Sequence, residues 1–305
     1  MKAADGSERI GFVGLGAMGR PMARNLAARG HDVTVFDVRA EAMAPLVAAG
    51  ARAAASLAEL ARDCDVIFTM LPNSPDVEAV VLGPGGIADN ARPDTLVVDM
   101  STIDPAATDR LAAALRDRGI GFVDAPVGRT VTQAEKGESL FMVGARDNDL
   151  GRARPALEAM GTTIHHCGAP GAGIRTKLVN NFLAIATCQL SAEAMALAQA
   201  FGLDPKTTLD VVNGTTATNG HLRIMWPIKV LAGDTGPGFR IALAHKDLAL
   251  AMEAASAMGV PVFMGAAARE ALSLARNSAD YGGRDFSALL DLACEQAGVA
   301  KVRVG

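Results

Sequence analysis

The stretch from Arg9 to Asp37 constrains this chain more than any other. A short apolar run, Arg9 to Val13, opens directly into Gly14-Leu-Gly16-Ala-Met-Gly19. A helical pattern follows from about Met22 to Arg29 and stops at Gly30, and a second apolar run, Val33 to Phe36, ends on Asp37. A lone G-x-G-x-x-G is weak, but strand, glycine motif, helix, strand and acidic residue in that order form a βαβ unit built for a dinucleotide. Gly14 permits the tight turn, Gly16 lets the backbone approach a pyrophosphate, and Gly19 lets the helix pack closely on the strand. The helix N-terminus adds N–H groups and a positive dipole end for the phosphates. Asp37 is placed to accept hydrogen bonds from the ribose hydroxyls and to repel a 2′-phosphate, which predicts NAD; Arg39, two residues on, is the one local argument for NADP.

The alternation continues. A helix from Ser56 to Arg62 leads to a strand, Val66 to Met70, and further strands are predicted at Leu96 to Asp99, Gly121 to Asp124, Leu140 to Val143 and Thr163 to His165. Such alternation predicts a mostly parallel, doubly wound sheet. Ligands of open α/β sheets sit beyond the carboxyl ends of the strands, so the loops at Leu71, Ser101–Thr102 and Val127–Arg129 are expected to face one crevice. From Gly168 to Gly173 the chain reads Gly-Ala-Pro-Gly-Ala-Gly, a linker composition, and beyond it strand signals stop. The predicted fold is therefore an α/β Rossmann-type domain at 1–170 and an all-α domain at 171–305, joined by a long helix. A pocket between two domains is a common place for a small substrate.

That helix is read from Ile174 to Phe201, a run without Pro or Gly that would span about 42 Å. Leu178, Val179, Phe182, Leu183 and Ile185 make its first turns apolar on nearly every side, which predicts a buried helix. Lys177, Asn180 and Asn181 lie within this segment at i, i+3 and i+4 and share a face. A lysine there needs a partner, a cavity or a ligand, unless its stem is buried and its head snorkels to water. Asp204 and Pro205 then form an N-cap and N1 pair for a helix over Lys206 to Val212. A Gly/Thr/Asn loop from Asn213 to His221 and helices near Leu243–Met258, Gly265–Arg276 and Ser287–Ala297 complete the chain.

Composition narrows the function classes. The 305 residues are 50% hydrophobic and 20% charged, with net charge −4 and pI near 5.8. Nucleic acid wants a basic surface, and one Trp with one Tyr leaves little for base stacking. Met1 to Glu8 is polar and has no apolar h-region, so no signal peptide is expected. No run of eighteen apolar residues occurs, and the most apolar helix carries Lys177, Gln189 and Glu193, so a membrane span is not expected. Cys64, Cys167, Cys188 and Cys294 form no C-x-x-C pair and read as reduced thiols of a cytoplasmic protein. His165 and His166 are adjacent and point to opposite sides of an extended segment, without acidic or cysteine neighbours at ligand spacing, so no metal is expected.

Taken together, several motifs resemble the β-hydroxyacid dehydrogenases: Gly14-Leu-Gly16-Ala-Met-Gly19-Arg-Pro-Met-Ala-Arg-Asn-Leu, Asp99-Met-Ser-Thr102, Asp124-Ala-Pro-Val, Gly173-Ile-Arg-Thr-Lys177-Leu-Val-Asn-Asn181 and Lys246-Asp247-Leu. The resemblance covers essentially the whole chain. It implies hydride transfer between NAD(P) and a short 3-hydroxy acid or its semialdehyde, with Lys177 catalytic. Ala17, Met18, Asp37, Leu71, Pro72, Thr102 and Lys246 join the three motif glycines as implied cofactor contacts. Ser101, Gly128, Arg129, Thr130, Asn180, Asn181 and Ala184 are the implied substrate contacts. Relatives often carry a hydroxyl-bearing residue where this chain has Ala184, which offers no side-chain donor.

One departure is informative. After Pro-Val that family usually has Ser-Gly-Gly; here the chain has Gly128-Arg129-Thr130. With Asn219-Gly-His221, Trp226-Pro-Ile-Lys229 and Leu243-Ala-His-Lys246, this variant resembles one branch, the bacterial 3-sulfolactaldehyde reductases of sulfoquinovose breakdown. Arg129 would supply a permanent charge and a planar fork of donors for a sulfonate, with Asn180 as a second contact. Lys177 would stabilise the oxygen that gains charge and donate its proton, and burial would lower its pKa toward working pH. The rivals are a reductase of carboxylate semialdehydes such as tartronate or succinate semialdehyde, and a non-catalytic NAD-binding sensor. A homodimer or homotetramer is expected, and neither nucleic acid nor membrane is an expected partner.

Overall fold

A computed structural model describes residues 8–304. The polar start that argued against a signal peptide lies outside them, apart from Glu8. Strands β1 (Ile10–Val13), β2 (Val33–Phe36), β3 (Arg52–Ala53), β4 (Val66–Thr69), β5 (Leu96–Asp99) and β6 (Gly121–Asp124) pair in parallel in the order β3-β2-β1-β4-β5-β6. Three further strands, β7 (Val127–Gly128), β8 (Ser139–Gly144) and β9 (Gly161–Gly168), extend that edge. There β8 runs antiparallel to β6 and β7 and parallel to β9.

The two-residue period of a strand sorts its side chains to opposite faces. Ile10, Phe12, Val66, Phe68, Leu96 and Val98 pack on one face with Met22 and Leu26. Val13, Ile67 and Val97 pack on the other with Val77 and Leu111. Burying each such Leu, Ile or Phe contributes roughly 1.5–3 kcal/mol. The register levels the carboxyl ends: Val13 faces Phe36 and Thr69, Thr69 faces Asp99, and Asp99 faces Asp124. Local caps start the helices between them. Ser56 and Asn73 accept from the N–H groups of Glu59 and Asp76, and Asp104 precedes Pro105 at the start of Pro105–Arg116.

The chain divides into two compact units, Met1–Lys177 and Leu178–Gly305. The division falls within the Ala172–Ala200 helix, whereas sequence composition pointed to 170/171. The glycine-rich run forms a short turn before the helix: β9 reaches Gly168 and the helix begins at Ala172. In the second unit, Ile185, Cys188, Ala192 and Met195 of this helix pack with Trp226, Leu248, Leu272 and Leu290. The expectation of a helix buried all round is corrected here: Val179, Leu183, Leu190 and Leu197 are exposed. The 3.6-residue period divides the apolar residues between a core face and an open face. By length and composition alone this helix could cross a bilayer, with a mean hydropathy of 1.2 in its most apolar window, a test that core helices also pass. Helices Ile241–Ala257 and Phe263–Asn277 complete most of the second core. The segment His221–Ala232 follows π and 3-10 turns that sequence periodicity did not foresee. All four cysteines are free thiols.

Candidate active site

The glycine motif forms a cradle. Gly14 has φ +93°, and a Cβ there would lie 2.3 Å from the Met70 carbonyl oxygen. At Gly19 a Cβ would meet the Gly14 carbonyl at 1.9 Å, so the start of helix Gly19–Ala28 is pressed onto the turn. Above Gly16 there is nothing within 4 Å of such an atom. Gly14 and Gly19 are therefore demanded by the protein's own backbone, while Gly16 opens onto room for a ligand. No side chain caps the helix beyond. Asp37, at the end of β2, accepts from the Leu15 N–H at 2.7 Å and from the Arg39 N–H at 2.9 Å. Burial would push its carboxyl up, but these N–H groups and the Arg39 guanidinium outweigh it and hold the pKa below the usual range. Asp37 is thus an anion with its position set before any ribose arrives.

Behind this cradle, Asp99 Oδ1 accepts from the hydroxyls of Thr69 (2.8 Å) and Ser101 (2.6 Å). Ser101 Oγ in turn accepts the Leu71 N–H at 2.9 Å. Ser101 is 2% exposed, so its hydroxyl ties the loop after β4 to the loop after β5. Burial, with Asp124 on the adjacent strand, pushes Asp99 up to about 6.

Asp124 holds the start of the long helix. Its two carboxylate oxygens accept the N–H groups of Gly171 (2.6 Å) and Ile174 (2.7 Å). The helix comes so close that a Cβ on Gly173 would lie 2.3 Å from the Met142 carbonyl oxygen. Lys177 follows one turn later, 9% exposed, and its Nζ donates to the Val127 carbonyl at 2.7 Å. A buried ammonium therefore sits against β7, at the Val127 carbonyl.

Arg129 lies beside that carbonyl but turns outward. Its guanidinium donates to the Glu138 carbonyl and to the hydroxyls of Thr162 (3.0 Å) and Thr163 (3.2 Å). Its backbone has φ 71°, one of two non-glycine residues in the left-handed region among the described residues. Gly128 is buried in β7. Thr130 caps helix Val131–Lys136, and its hydroxyl donates to Gln133 at 2.5 Å.

The second unit carries the other implied contacts. Asn181, 6% exposed, donates through Nδ2 to Asp247 Oδ2 at 2.7 Å. Asn180, exposed, donates through Nδ2 to Asn181 Oδ1 at 3.0 Å. Lys246 Nζ lies 3.0 Å from Asp247 Oδ1. The Ala184 carbonyl accepts from His221 Nε2 at 2.7 Å. Of the implied cofactor residues, Ala17 and Pro72 are exposed, and Met18, Leu71, Thr102 and Lys246 half-buried.

Residues 9–168 match the family model of the NAD binding domain of 6-phosphogluconate dehydrogenase. Residues 171–293 match the model described as the NAD-binding region of NADP-dependent 3-hydroxyisobutyrate dehydrogenase. The chain belongs to the 3-hydroxyisobutyrate dehydrogenase family. It is 46% identical over 296 residues to a 3-sulfolactaldehyde reductase of Escherichia coli K12, covering 97% of this chain and 99% of the relative. It is 37% identical to a 2-(hydroxymethyl)glutarate dehydrogenase of Eubacterium barkeri, over 96% and 97% of the two chains. Among solved structures, the 3-hydroxyisobutyrate dehydrogenase of Mycobacterium tuberculosis with L-serine superposes with a TM-score of 0.86 at 35% identity, covering 94% of this chain and 99% of that one. A member of the 3-hydroxyisobutyrate dehydrogenase family is an oxidoreductase acting on CH–OH groups with a nicotinamide dinucleotide, and the open cradle at Gly16 fits that cofactor.

Three carboxylates escaped sequence reasoning in part. Asp99, Asp124 and Asp247 were visible only as letters inside motifs; each proves to be a buried anchor for a loop, a helix or an amide. The signal that could have found them is a carboxylate inside an apolar run, which needs donors to be buried there.

Proposed function

We propose that this enzyme reduces 3-sulfolactaldehyde to 2,3-dihydroxypropane-1-sulfonate with NADH, reversibly. The observation that carries the reading is Arg129. Arg129 follows Val127, whose carbonyl Lys177 meets, closely along the chain, on a left-handed backbone that suits glycine, and the three bonds of its outward-turned guanidinium all go to uncharged oxygens. A sulfonate offers stronger, charge-assisted bonds and a tetrahedral array of acceptors, so it can draw the side chain from those partners. The full-length similarity to a sulfolactaldehyde reductase supports the same choice.

When bound, the nicotinamide supplies hydride to the aldehyde carbon. Lys177 meets the carbonyl oxygen, stabilises the charge that grows there and gives it a proton from Nζ. Asn180 contacts the substrate through its amide. The resulting amine recovers a proton from solvent, and in the reverse direction it takes the alcohol's. Asp37 accepts from the ribose hydroxyls and disfavours a 2′-phosphate, which supports NADH over NADPH. The exposed seam of Val179, Leu183, Leu190 and Leu197 supports a homodimer or homotetramer, which the mass from light scattering checks. Free thiols suit a cytoplasmic setting.

The second reading is a carboxylate semialdehyde as substrate. It is favoured by the outward turn of Arg129, whose guanidinium donates to Thr162 and Thr163. One assay separates the two: kcat/KM for 3-sulfolactaldehyde beside tartronate and succinate semialdehydes, in the native chain and in Arg129→Ala. The sulfonate reading expects a clear preference for sulfolactaldehyde that collapses in the variant by about 2–5 kcal/mol. Equal or better turnover of a carboxylate aldehyde defeats it, and no turnover of any aldehyde points to a sensor.

A further inference from the structure

The polar groups of the second unit form one connected line. Lys246 Nζ meets Asp247 Oδ1 at 3.0 Å. Asp247 Oδ2 takes the Asn181 amide N–H at 2.7 Å, and Asn181 Oδ1 takes the Asn180 amide N–H at 3.0 Å. Asp247 is 4% exposed, while Asn180 at the far end faces solvent.

The order of donors along this line is dictated by chemistry. An ionised carboxylate can only accept, so Asn181 must turn its NH₂ toward Asp247 and its oxygen toward Asn180. That oxygen in turn obliges Asn180 to present its own NH₂, leaving one N–H on the outward side. An asparagine at 247 would remove this compulsion, because an amide either donates or accepts. It would also leave Lys246 without its carboxylate neighbour. We propose that Asp247 is a positioning residue that serves both ligands at once: through Lys246 it orders the cofactor side, and through Asn181 it sets Asn180 as a donor toward the anionic substrate. This rests on the proposed contacts of Lys246 with the dinucleotide and Asn180 with the substrate.

The test uses the full chain with Asp247→Asn, Asn180→Ala and Lys246→Met, singly and in pairs with the 247 change. The dissociation constant of NADH is read by fluorescence, and KM and kcat are measured with whichever aldehyde of the panel turns over best. Melting temperatures accompany each variant, and Asp247→Asn is nearly isosteric. Asp247→Asn is expected to raise the NADH dissociation constant and the aldehyde KM, each by about tenfold, the scale of one hydrogen bond to a charged group, with kcat changed far less. In the Asn180→Ala background the same change is expected to spare the aldehyde KM yet still weaken NADH. In the Lys246→Met background the pattern reverses. If the effects of Asp247→Asn are the same in all backgrounds, or appear only as a lower melting temperature, the relay is overturned while the site reading stands. If Asn180→Ala and Lys246→Met leave both constants unchanged, the site reading fails and takes the relay with it.

Discussion

The two units place their functional groups in different ways. In Met1–Lys177 the work is done by backbone: level strand ends, turns too tight for a Cβ, and N–H groups aimed at Asp37 and Asp124. In Leu178–Gly305 it is done by side chains, as in the line from Lys246 through Asp247 to Asn180. A backbone site survives most side-chain changes and fails at glycines. A line of side chains fails one residue at a time, and where its members are buried, as Asn181 and Asp247 are, truncating one also leaves its partner unsatisfied.

The hardest blow to this contrast falls on Lys177, a side chain set by the backbone machinery of the first unit. Lys177→Ala is expected to cut turnover by about 10²–10⁴-fold, the usual scale for losing a general acid, with NADH binding nearly unchanged. Stopped-flow or single-turnover assays with titrated NADH check both halves, and retained turnover would remove the lysine from the chemistry.

Next in size is a glycine. Gly173→Ala puts a methyl group against the Met142 and Asp124 carbonyls and is expected to lower stability by about 1–3 kcal/mol through overpacking. Urea unfolding measures it. The matching change at Gly16, where nothing lies within 4 Å, should leave stability alone and weaken the dinucleotide. If the two glycines respond alike, the division between structural and ligand-facing glycines is wrong.

The smallest effect concerns pH. Asp99 has a folded value of about 6, raised by burial first and Asp124 after it, above an ordinary carboxylate near 3.9. Between these values the folded chain holds the extra proton, so this group makes stability fall as pH rises from about 4 to 6 and adds no slope above that. Asp99→Asn keeps an acceptor for Thr69 and Ser101 and is expected to flatten that slope, by roughly 1–3 kcal/mol across the window. Melting curves at pH 4, 5, 6 and 7 decide it.

How much was legible differs along the same line. Strands β2, β5 and β6 were read to the residue because β-branched runs stop at an acid or a turn. Helices Ala40–Ala48 and Asp147–Met160 were not drawn, since each contains a proline, Pro45 and Pro155, that blurs the pattern. Arg129 was legible as a departure from a motif, but its bonds to Thr162 and Thr163 were not, because those partners lie over thirty positions away on β9. Ser101 was named for the substrate; its hydroxyl holds the Leu71 loop.

By itself the sequence determined the dinucleotide motif, the parallel strands β1, β2, β4, β5 and β6, and the lysine with its asparagines within one helix. Those depend on near neighbours, where spacing and backbone sterics leave few options. Tertiary structure alone decided which carboxylates anchor which loops, where Arg129 rests, and which face of the long helix stays open. Each of these joins residues far apart in the chain, and only packing settles which distant donor a buried oxygen will meet.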